Sequence, residues 1–250
     1  MKTILLAAGI GQRLGAISEG GPKCLLEFNG ASLLSRHVHN LERLGISELV
    51  VVAGYRMEDI EQELSGLETR LRVTTVYNPD FREGSLISLY RAGASIHPGD
   101  AVLLMDADVL YDPAVLGRLL ESQHENCFLL DRDFIPGEEP VKLCVANGRL
   151  VEFRKQPDPD LPYDFQGESV GFFKFSSATF AELLQRAQDY LDAGRRDQPY
   201  EEVIRDCLLD YPDRFSYEDI TGMPWLEIDF PEDVRRAEQE VLPRIEGIEE

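Results

Sequence analysis

The 250-residue sequence predicts an α/β protein whose mostly parallel sheet is flanked by helices. Two observations carry this prediction. In the first half of the chain, short apolar runs rich in β-branched residues alternate with segments of helical spacing, the order typical of repeated βαβ units. In the second half, an Asn-Gly pair lies between two short apolar runs, which is a strong hairpin signal. A content of 43% hydrophobic and 28% charged residues fits an ordinary globular domain.

Four strand–helix pairs are predicted in the first half. The strands are residues 4–8, 49–53, 71–77 and 101–105, and the helices are residues 32–44, 57–64, 85–95 and 113–123. The first helix carries one apolar stripe, formed by Leu33, Leu34, Val38, Leu41 and Leu44. Strands of this order run parallel, so their carboxyl ends meet at one edge, where α/β folds bind ligands.

The second half of the sequence predicts a mixture of strands and helices. We expect it to form an insertion that covers the carboxyl edge of the sheet. A hairpin is expected around Asn147-Gly148, with strands at residues 141–145 and 150–153. A strand at 169–175, helices at 178–190 and 201–209, and a last helix at 232–241 follow. We expect one domain over residues 1–242 and an acidic tail over residues 243–250.

Charge and composition exclude several classes of partner. The net charge of −21 argues against nucleic-acid binding, which needs a basic face. No apolar run is long enough to span a bilayer, and the N-terminal residues lack the pattern of a signal peptide, so we expect a cytoplasmic protein without a membrane partner. The four cysteines are scattered without a C-x-x-C pair, which indicates reduced thiols rather than a zinc site.

A glycine-rich loop follows the first strand and holds Gly9, Gly11 and Gly15, with Arg13 inside it and Lys23 just beyond. Such a loop lets backbone N–H groups approach a polyphosphate. Its spacing has one residue too many for the dinucleotide-binding fingerprint, and no lysine follows a glycine as a P-loop requires. An ordinary strand-to-helix turn is the remaining alternative.

The stretch Ala7-Ala8-Gly9-x-Gly11-x-Arg13-Leu14, followed by Pro22-Lys23-x-Leu25, resembles the signature of nucleotidyltransferases that join an NTP to a phosphorylated small molecule. The resemblance implies a Rossmann-like, GT-A-like fold. It also implies catalytic roles for Arg13 and Lys23. The nucleotide contacts that it implies in this region are Leu6, Ala7, Ala8, Gly9, Gly11, Arg13 and Lys23.

Two carboxylates, Asp106 and Asp108, end a buried apolar strand. Buried carboxylates are costly unless they bind a cation, and hard oxygens beside phosphates favour Mg²⁺. Further on, the sequence Trp-Leu-Glu-Ile-Asp-Phe-Pro-Glu-Asp from residue 225 resembles the ending of cytidylyltransferases for phosphocholine, inositol phosphate and phosphonates. That resemblance implies that Asp108 and Asp229 bind Mg²⁺ and that Asp106 assists nucleotide binding.

The same resemblance implies further contacts. Gly84 and Ser85 would hold the base and ribose of the nucleotide, with a plain helix N-cap as the alternative. Lys155, Glu168 and Glu227 would face the acceptor, although an exposed hairpin lysine is also an ordinary feature. Glu227 and Asp229 are expected on one face of a short strand.

Together these features predict an enzyme that transfers CMP from CTP to a small phosphorylated or phosphonate acceptor and releases pyrophosphate. Phosphocholine is the favoured acceptor, because an acidic, aromatic pocket binds quaternary ammonium groups. The candidate aromatic residues are Tyr163, Phe172, Tyr217 and Trp225. A sugar-1-phosphate nucleotidyltransferase, a metal-dependent glycosyltransferase and a non-catalytic nucleotide-sensing subunit remain alternatives, and the oligomeric state stays open.

Overall fold

The structure is a computed structural model that describes residues 1–11, 13–14 and 20–245. Gly15 of the glycine-rich loop and residues 246–250 of the expected acidic tail lie outside the described residues. The strands are β1 (Lys2–Ala7), β2 (Glu27–Phe28), β3 (Ala31–Ser32), β4 (Glu48–Ala53), β5 (Arg72–Tyr77), β6 (Val102–Asp106), β7 (Val109–Tyr111), β8 (Cys127–Asp131), β9 (Lys142–Ala146), β10 (Arg149–Arg154), β11 (Phe165–Phe175), β12 (Ser216–Asp219) and β13 (Trp225–Glu227). The helices are α1 (Leu33–Arg43), α2 (Met57–Gly66), α3 (Leu86–Ala92), α4 (Pro113–Glu121), α5 (Ser177–Asp192), α6 (Tyr200–Asp210) and α7 (Pro231–Arg236).

A mixed sheet with the order β10-β9-β11-β6-β1-β4-β5 forms the centre of the molecule, and β8 and β12 extend it from β11. Strands β6, β1, β4 and β5 are parallel, whereas β11 runs antiparallel to β6. Leu6 of β1 pairs with Asp106 of β6, so the glycine-rich loop and the acidic strand end emerge side by side. The α/β prediction and its four parallel strands are confirmed.

Helices cover both faces of the sheet. Leu89 of α3, Leu183 of α5 and Ile204 of α6 belong to one apolar core. Helices α1, α2 and α4 contribute to a second core on the other face, where Leu34, Val38 and Leu41 of the predicted α1 stripe are buried. Leu33 is buried in a third, smaller cluster, and Leu44 is only partly buried. All four cysteines are buried and free, as the sequence predicts. Within the described residues, no helix combines the length and apolar character needed to cross a bilayer.

The predicted hairpin is confirmed in β9 and β10, whose turn uses left-handed conformations at Asn147 (φ 51°) and Gly148 (φ 74°). Through its β9–β11 pairing the hairpin joins the main sheet as an edge pair. The chain leaving β10 then brings Lys155 to the carboxyl edge of the sheet.

One local expectation is wrong. Strand β13 ends at Glu227, so Glu227 and Asp229 do not share a strand, although both reach the same cavity. The last predicted helix is confirmed, as α-helix to Arg236 and then as a turn of π-helix, Ala237–Val241. Strand β8 escaped prediction because a run buried on every side, Cys127–Asp131, carries no alternation of polar and apolar residues.

Strand β11 contains Gly171 in a left-handed conformation with φ of 79°. A Cβ atom added there would collide with Oδ2 of Asp106. That oxygen also accepts a hydrogen bond of 2.6 Å from the Tyr200 hydroxyl, so the carboxylate cannot move away without losing a partner. Glycine is therefore needed at this position for both its conformation and its small size.

We expect Gly171→Ala to lower the free energy of unfolding by about 2–4 kcal/mol, through the left-handed backbone and the collision with Asp106. The matched control is Gly194→Ala, where φ is 75° and nothing lies within 4 Å of the added atom. The control should lose only about 1–2 kcal/mol. Urea denaturation of the two variants measures the difference, and equal losses would contradict a collision at Gly171.

Candidate active site

A cavity of about 460 Å³ lies at the carboxyl edge of β1 and β6. Its lining includes most of the residues that the sequence singles out: Leu6, Ala7, Gly9, Gly11, Arg13, Lys23, Asp108, Lys155, Glu227 and Asp229. These residues come from five separate parts of the chain, and the sheet brings them together. Ala8, which belongs to the same loop, is buried just behind the lining.

Lys23 lies between two carboxylates. Its Nζ donates to Asp108 Oδ2 at 2.9 Å and to Asp229 Oδ1 at 2.5 Å. Burial by itself lowers the pKa of Lys23, but the negative charges of Asp108 and Asp229 outweigh burial and raise that pKa above its ordinary value. The glycine-rich loop packs on the lysine, because a Cβ at Gly11 (φ 66°) would meet the Lys23 side chain at 2.7 Å. The loop therefore packs against a lysine whose charged form is favoured by its two carboxylate partners.

Arg13 is the second cation of the loop and is about half exposed. Its Nη1 atom donates to Asp229 Oδ2 at 3.3 Å and to Glu139 Oε2 at 3.0 Å. The guanidinium also lies 5.3 Å from the centre of the Phe230 ring. Arg13 and Lys23 thus share Asp229 and converge on one side of the cavity.

Three carboxylates, those of Asp108, Glu227 and Asp229, have oxygen atoms within 4.8 Å of one another. Pairing of β7 with β13 brings them together, because Val109 lies opposite Glu227 and the Ile228 N–H donates to the Asp108 carbonyl at 2.9 Å. Burial and the charges of Asp108 and Asp229 raise the pKa of Glu227 well above its ordinary value. Such mutually repelling oxygen donors fit a hard divalent cation such as Mg²⁺. Sequence reasoning placed Glu227 at the acceptor, whereas it lies among the candidate metal carboxylates.

Asp106, unlike Asp108, does not line the cavity. Its Oδ2 atom accepts the hydrogen bond from the Tyr200 hydroxyl. Burial first, and then the charge of Asp108, raise the pKa of Asp106. Tyr200, only 3% exposed, is a site neighbour that the sequence did not reveal, since 94 residues separate it from Asp106.

Gly84 and Ser85 do not line the cavity. A Cβ at Gly84 would collide with the backbone carbonyl of Gln198, and Ser85 Oγ accepts a 3.0 Å hydrogen bond from the Tyr200 N–H. The structure thus gives both residues a packing role at the start of α6, and nucleotide contact by them stays a prediction. Phe81 and Arg82 line the cavity instead. The sequence could have indicated these two residues, because they follow a parallel strand, and residues after such strands often bind ligands.

A second cavity of about 290 Å³ adjoins the first and shares Glu227 and Asp229 with it. Glu168 lines it, together with Asp131, Asp233 and Trp225. The Trp225 indole N–H donates to Asp131 Oδ2 at 2.7 Å. Two phenylalanines, Phe134 and Phe230, complete its aromatic surface.

The four aromatic residues proposed for the acceptor do not line one cavity. Trp225 lines the second cavity, whereas Phe172 is fully buried in the core and Tyr217 packs against Phe165. Tyr163 lines a further depression, which shares Lys155 with the first cavity. Contact of Trp225 or Tyr163 with an acceptor stays a prediction.

Lys155 lines the first cavity and donates to Glu139 Oε2 at 2.9 Å. Glu139 therefore bridges Lys155 and Arg13, and sequence reasoning missed it. Its loop has no recognisable pattern, and 126 residues separate it from Arg13.

A known protein family matches most of this chain. Residues 3–193 match the family described as the MobA-like NTP transferase domain. A CMP-5'-(3-aminopropyl)phosphonate synthase of Streptomyces rubellomurinus is 26% identical over 97% of this chain, but the match covers only 39% of that protein. A CTP:phosphoglutamine cytidylyltransferase of Campylobacter jejuni is 24% identical over 94% of this chain and 98% of its own length.

The fold has a solved counterpart in the inositol-1-phosphate CTP transferase from T. maritima. The two structures superpose with a TM-score of 0.76 at 20% identity and cover 98% of each chain. The chain spans well under half of the Streptomyces relative, so it corresponds to one part of that longer protein. The nucleotidyltransferase resemblance of the motifs is confirmed by the family match over most of the chain. This protein belongs to the family of MobA-like NTP transferase domains.

Proposed function

We propose that this chain transfers CMP from CTP to a small phosphorylated or phosphonate acceptor and releases pyrophosphate. The observation that carries the proposal is the cavity in which Lys23 and Arg13, held by a glycine-rich loop, face Asp108, Glu227 and Asp229. Relatives whose names include CMP or CTP support cytidine as the base.

The reaction is a direct displacement at phosphorus. An oxygen of the acceptor phosphate attacks the α-phosphorus of CTP and forms a new P–O bond, while the bond to the bridging oxygen breaks and pyrophosphate leaves with its electron pair. A phosphomonoester loses its second proton near pH 6, so the nucleophile is already an anion at neutral pH. The site therefore needs no general base, and positioning and charge stabilisation are its main tasks.

Residues of this chain supply the charge stabilisation. Backbone N–H groups of the glycine-rich loop, with Arg13 and Lys23, would stabilise the negative charge that builds on the leaving pyrophosphate. Lys23 is suited to this task because its raised pKa keeps it charged across the physiological range. Lys155, which also lines the cavity, would orient the acceptor phosphate.

Asp108 and Asp229 would hold Mg²⁺, with Glu227 close enough to contribute a third oxygen. When bound, the ion supplies positive charge that lets two anionic substrates approach each other. In this structure the ammonium group of Lys23 lies between the two aspartates. The negative charge that attracts the lysine would also attract the metal ion.

The second cavity supports an acceptor with a positively charged head group. Asp131, Glu168 and Asp233 supply negative charge there, and Trp225 and Phe230 supply aromatic surface. Because this cavity shares Glu227 and Asp229 with the first, an acceptor could extend its cation into one cavity and its phosphate into the other. We propose phosphocholine as the favoured acceptor, with an aminoalkylphosphonate as the next candidate.

The proposal is tested by a panel of substrates. The chain is incubated with Mg²⁺, each of the four NTPs, and phosphocholine, aminoethylphosphonate, inositol 1-phosphate or glucose 1-phosphate. Pyrophosphate release and product mass are measured. We expect turnover with CTP and a cationic acceptor. Preference for glucose 1-phosphate would support a sugar-1-phosphate nucleotidyltransferase, and binding of NTP without turnover on any acceptor would support a nucleotide-sensing role.

Asp108→Asn should reduce the rate of pyrophosphate release by about 10²-fold or more, because it removes a candidate metal ligand and a partner of Lys23. Asp100→Asn is the matched control, since its carboxylate pairs with Lys2 at 4.0 Å, away from the cavity. Thermal denaturation checks that both variants are folded. Full turnover in a folded Asp108→Asn variant would contradict the role of this carboxylate.

Glu168→Gln should stabilise the protein at alkaline pH. Burial, followed by repulsion from Asp131, raises the pKa of Glu168 from 4.5 to about 7. The folded state therefore holds a proton that the unfolded state has lost, and wild-type stability falls as the pH rises from about 4.5 to 7. The glutamine variant avoids this cost.

We expect Glu168→Gln to gain about 1–3 kcal/mol over the wild type at pH 8 and little at pH 4.5, as measured by urea denaturation. The exposed Glu125→Gln variant is the control and should show no such pH dependence. The KM for phosphocholine should rise in Glu168→Gln, since the cavity loses a negative charge. A variant that is less stable than the wild type at pH 8 would count against the buried charge.

A further inference from the structure

Glu139 forms a bridge between two cations that line the first cavity. One of its oxygens, Oε2, accepts hydrogen bonds from Arg13 Nη1 at 3.0 Å and from Lys155 Nζ at 2.9 Å. Under the proposed function, Arg13 belongs to the CTP triphosphate and Lys155 to the acceptor phosphate. A single carboxylate thus binds one cation from each substrate site.

The bridge is held in place by a buried lysine. Lys142, 9% exposed, donates to the carbonyl oxygens of Gly137 at 2.8 Å, Pro140 at 3.2 Å and Lys155 at 2.6 Å. These bonds fasten the loop that carries Glu139 to the end of β10 that carries Lys155. Glu139 is therefore presented to the two cations by the fold itself.

An anionic substrate must compete with this carboxylate. A triphosphate that pairs with Arg13 takes away one of the two partners of Glu139, and a phosphate that pairs with Lys155 takes away the other. Once one partner is lost, the remaining ion pair alone holds the carboxylate. The second substrate then displaces Glu139 more easily than the first did.

We propose that Glu139 is an internal anion that couples the two substrate sites, because either phosphate group weakens its hold on the cation that the other phosphate needs. The assignment of each cation to a substrate rests on the proposed function. The expected effect is small, about two- to fivefold in affinity for each site, since Arg13, Lys155 and Glu139 are all substantially exposed.

The test compares Glu139→Gln with the wild type by isothermal titration calorimetry at one fixed low salt concentration. Inorganic tripolyphosphate probes the Arg13 side without requiring recognition of cytidine. Phosphocholine probes the Lys155 side. The uncleavable analogue α,β-methylene-CTP with Mg²⁺ then allows both sites to be filled without turnover. Fluorescence of Trp225, the single tryptophan of the chain, gives a second readout from the adjoining cavity.

We expect Glu139→Gln to bind tripolyphosphate about two- to fivefold more tightly than the wild type. In the wild type, α,β-methylene-CTP should increase the affinity for phosphocholine. This increase should be smaller in the variant. The control is Glu125→Gln, which removes a charge from an exposed residue that lines neither cavity and should keep wild-type affinities.

Unchanged or weaker tripolyphosphate binding in Glu139→Gln would overturn the proposal, since Glu139 would then orient the cations instead of competing for them. Equal tightening in Glu125→Gln would also overturn it, because a general loss of negative charge would explain the result. A third outcome separates this proposal from the proposed function. If Glu139→Gln binds tripolyphosphate more tightly but neither protein binds the CTP analogue, the cytidylyl-transfer function is refuted. The competition between Glu139 and a phosphate for Arg13 would then still hold.

Discussion

The pairing of one lysine with two aspartates is the interaction on which the site depends. Lys23 reaches across the carboxyl edge of the sheet to Asp108 and Asp229, which are separated by more than a hundred residues of sequence. Without the lysine, these carboxylates and Glu227 would repel one another at close range. The cluster joins the glycine-rich loop, the acidic strand end and the β13 segment into one cavity, and it keeps positive charge where a triphosphate needs it.

This cluster also explains how a strongly acidic chain can belong to a family that handles nucleoside triphosphates. The net charge is −21, yet Arg13, Lys23 and Lys155 all line a single cavity. Each of these cations is paired with a carboxylate in this structure. The positive charges of this cavity are therefore balanced locally by the protein's own carboxylates.

Local sequence was sufficient to predict those parts of the site that lie within a few residues of a strand end. Gly9 and Gly11 follow β1, and Asp108 follows β6, so the parallel order of the strands was enough to bring them together. Lys23 lies farther along the chain and was predicted from the resemblance of its Pro22-Lys23 motif. Residues that arrive by long-range packing were not predictable. Tyr200 binds Asp106 from the start of α6, and Glu139 reaches Arg13 from a loop without a pattern. The fold was predicted where βαβ periodicity is regular, and it was missed at the fully buried β8.

The most direct test of the account is a crystal structure of the chain with CTP and Mg²⁺. The account predicts a triphosphate across the loop that contains Gly9 and Gly11, with Lys23 turned from the aspartates to a phosphate oxygen. It also predicts one metal ion shared by Asp108 and Asp229. A triphosphate bound away from this loop, with Lys23 still between the two aspartates and no ion beside them, would contradict it.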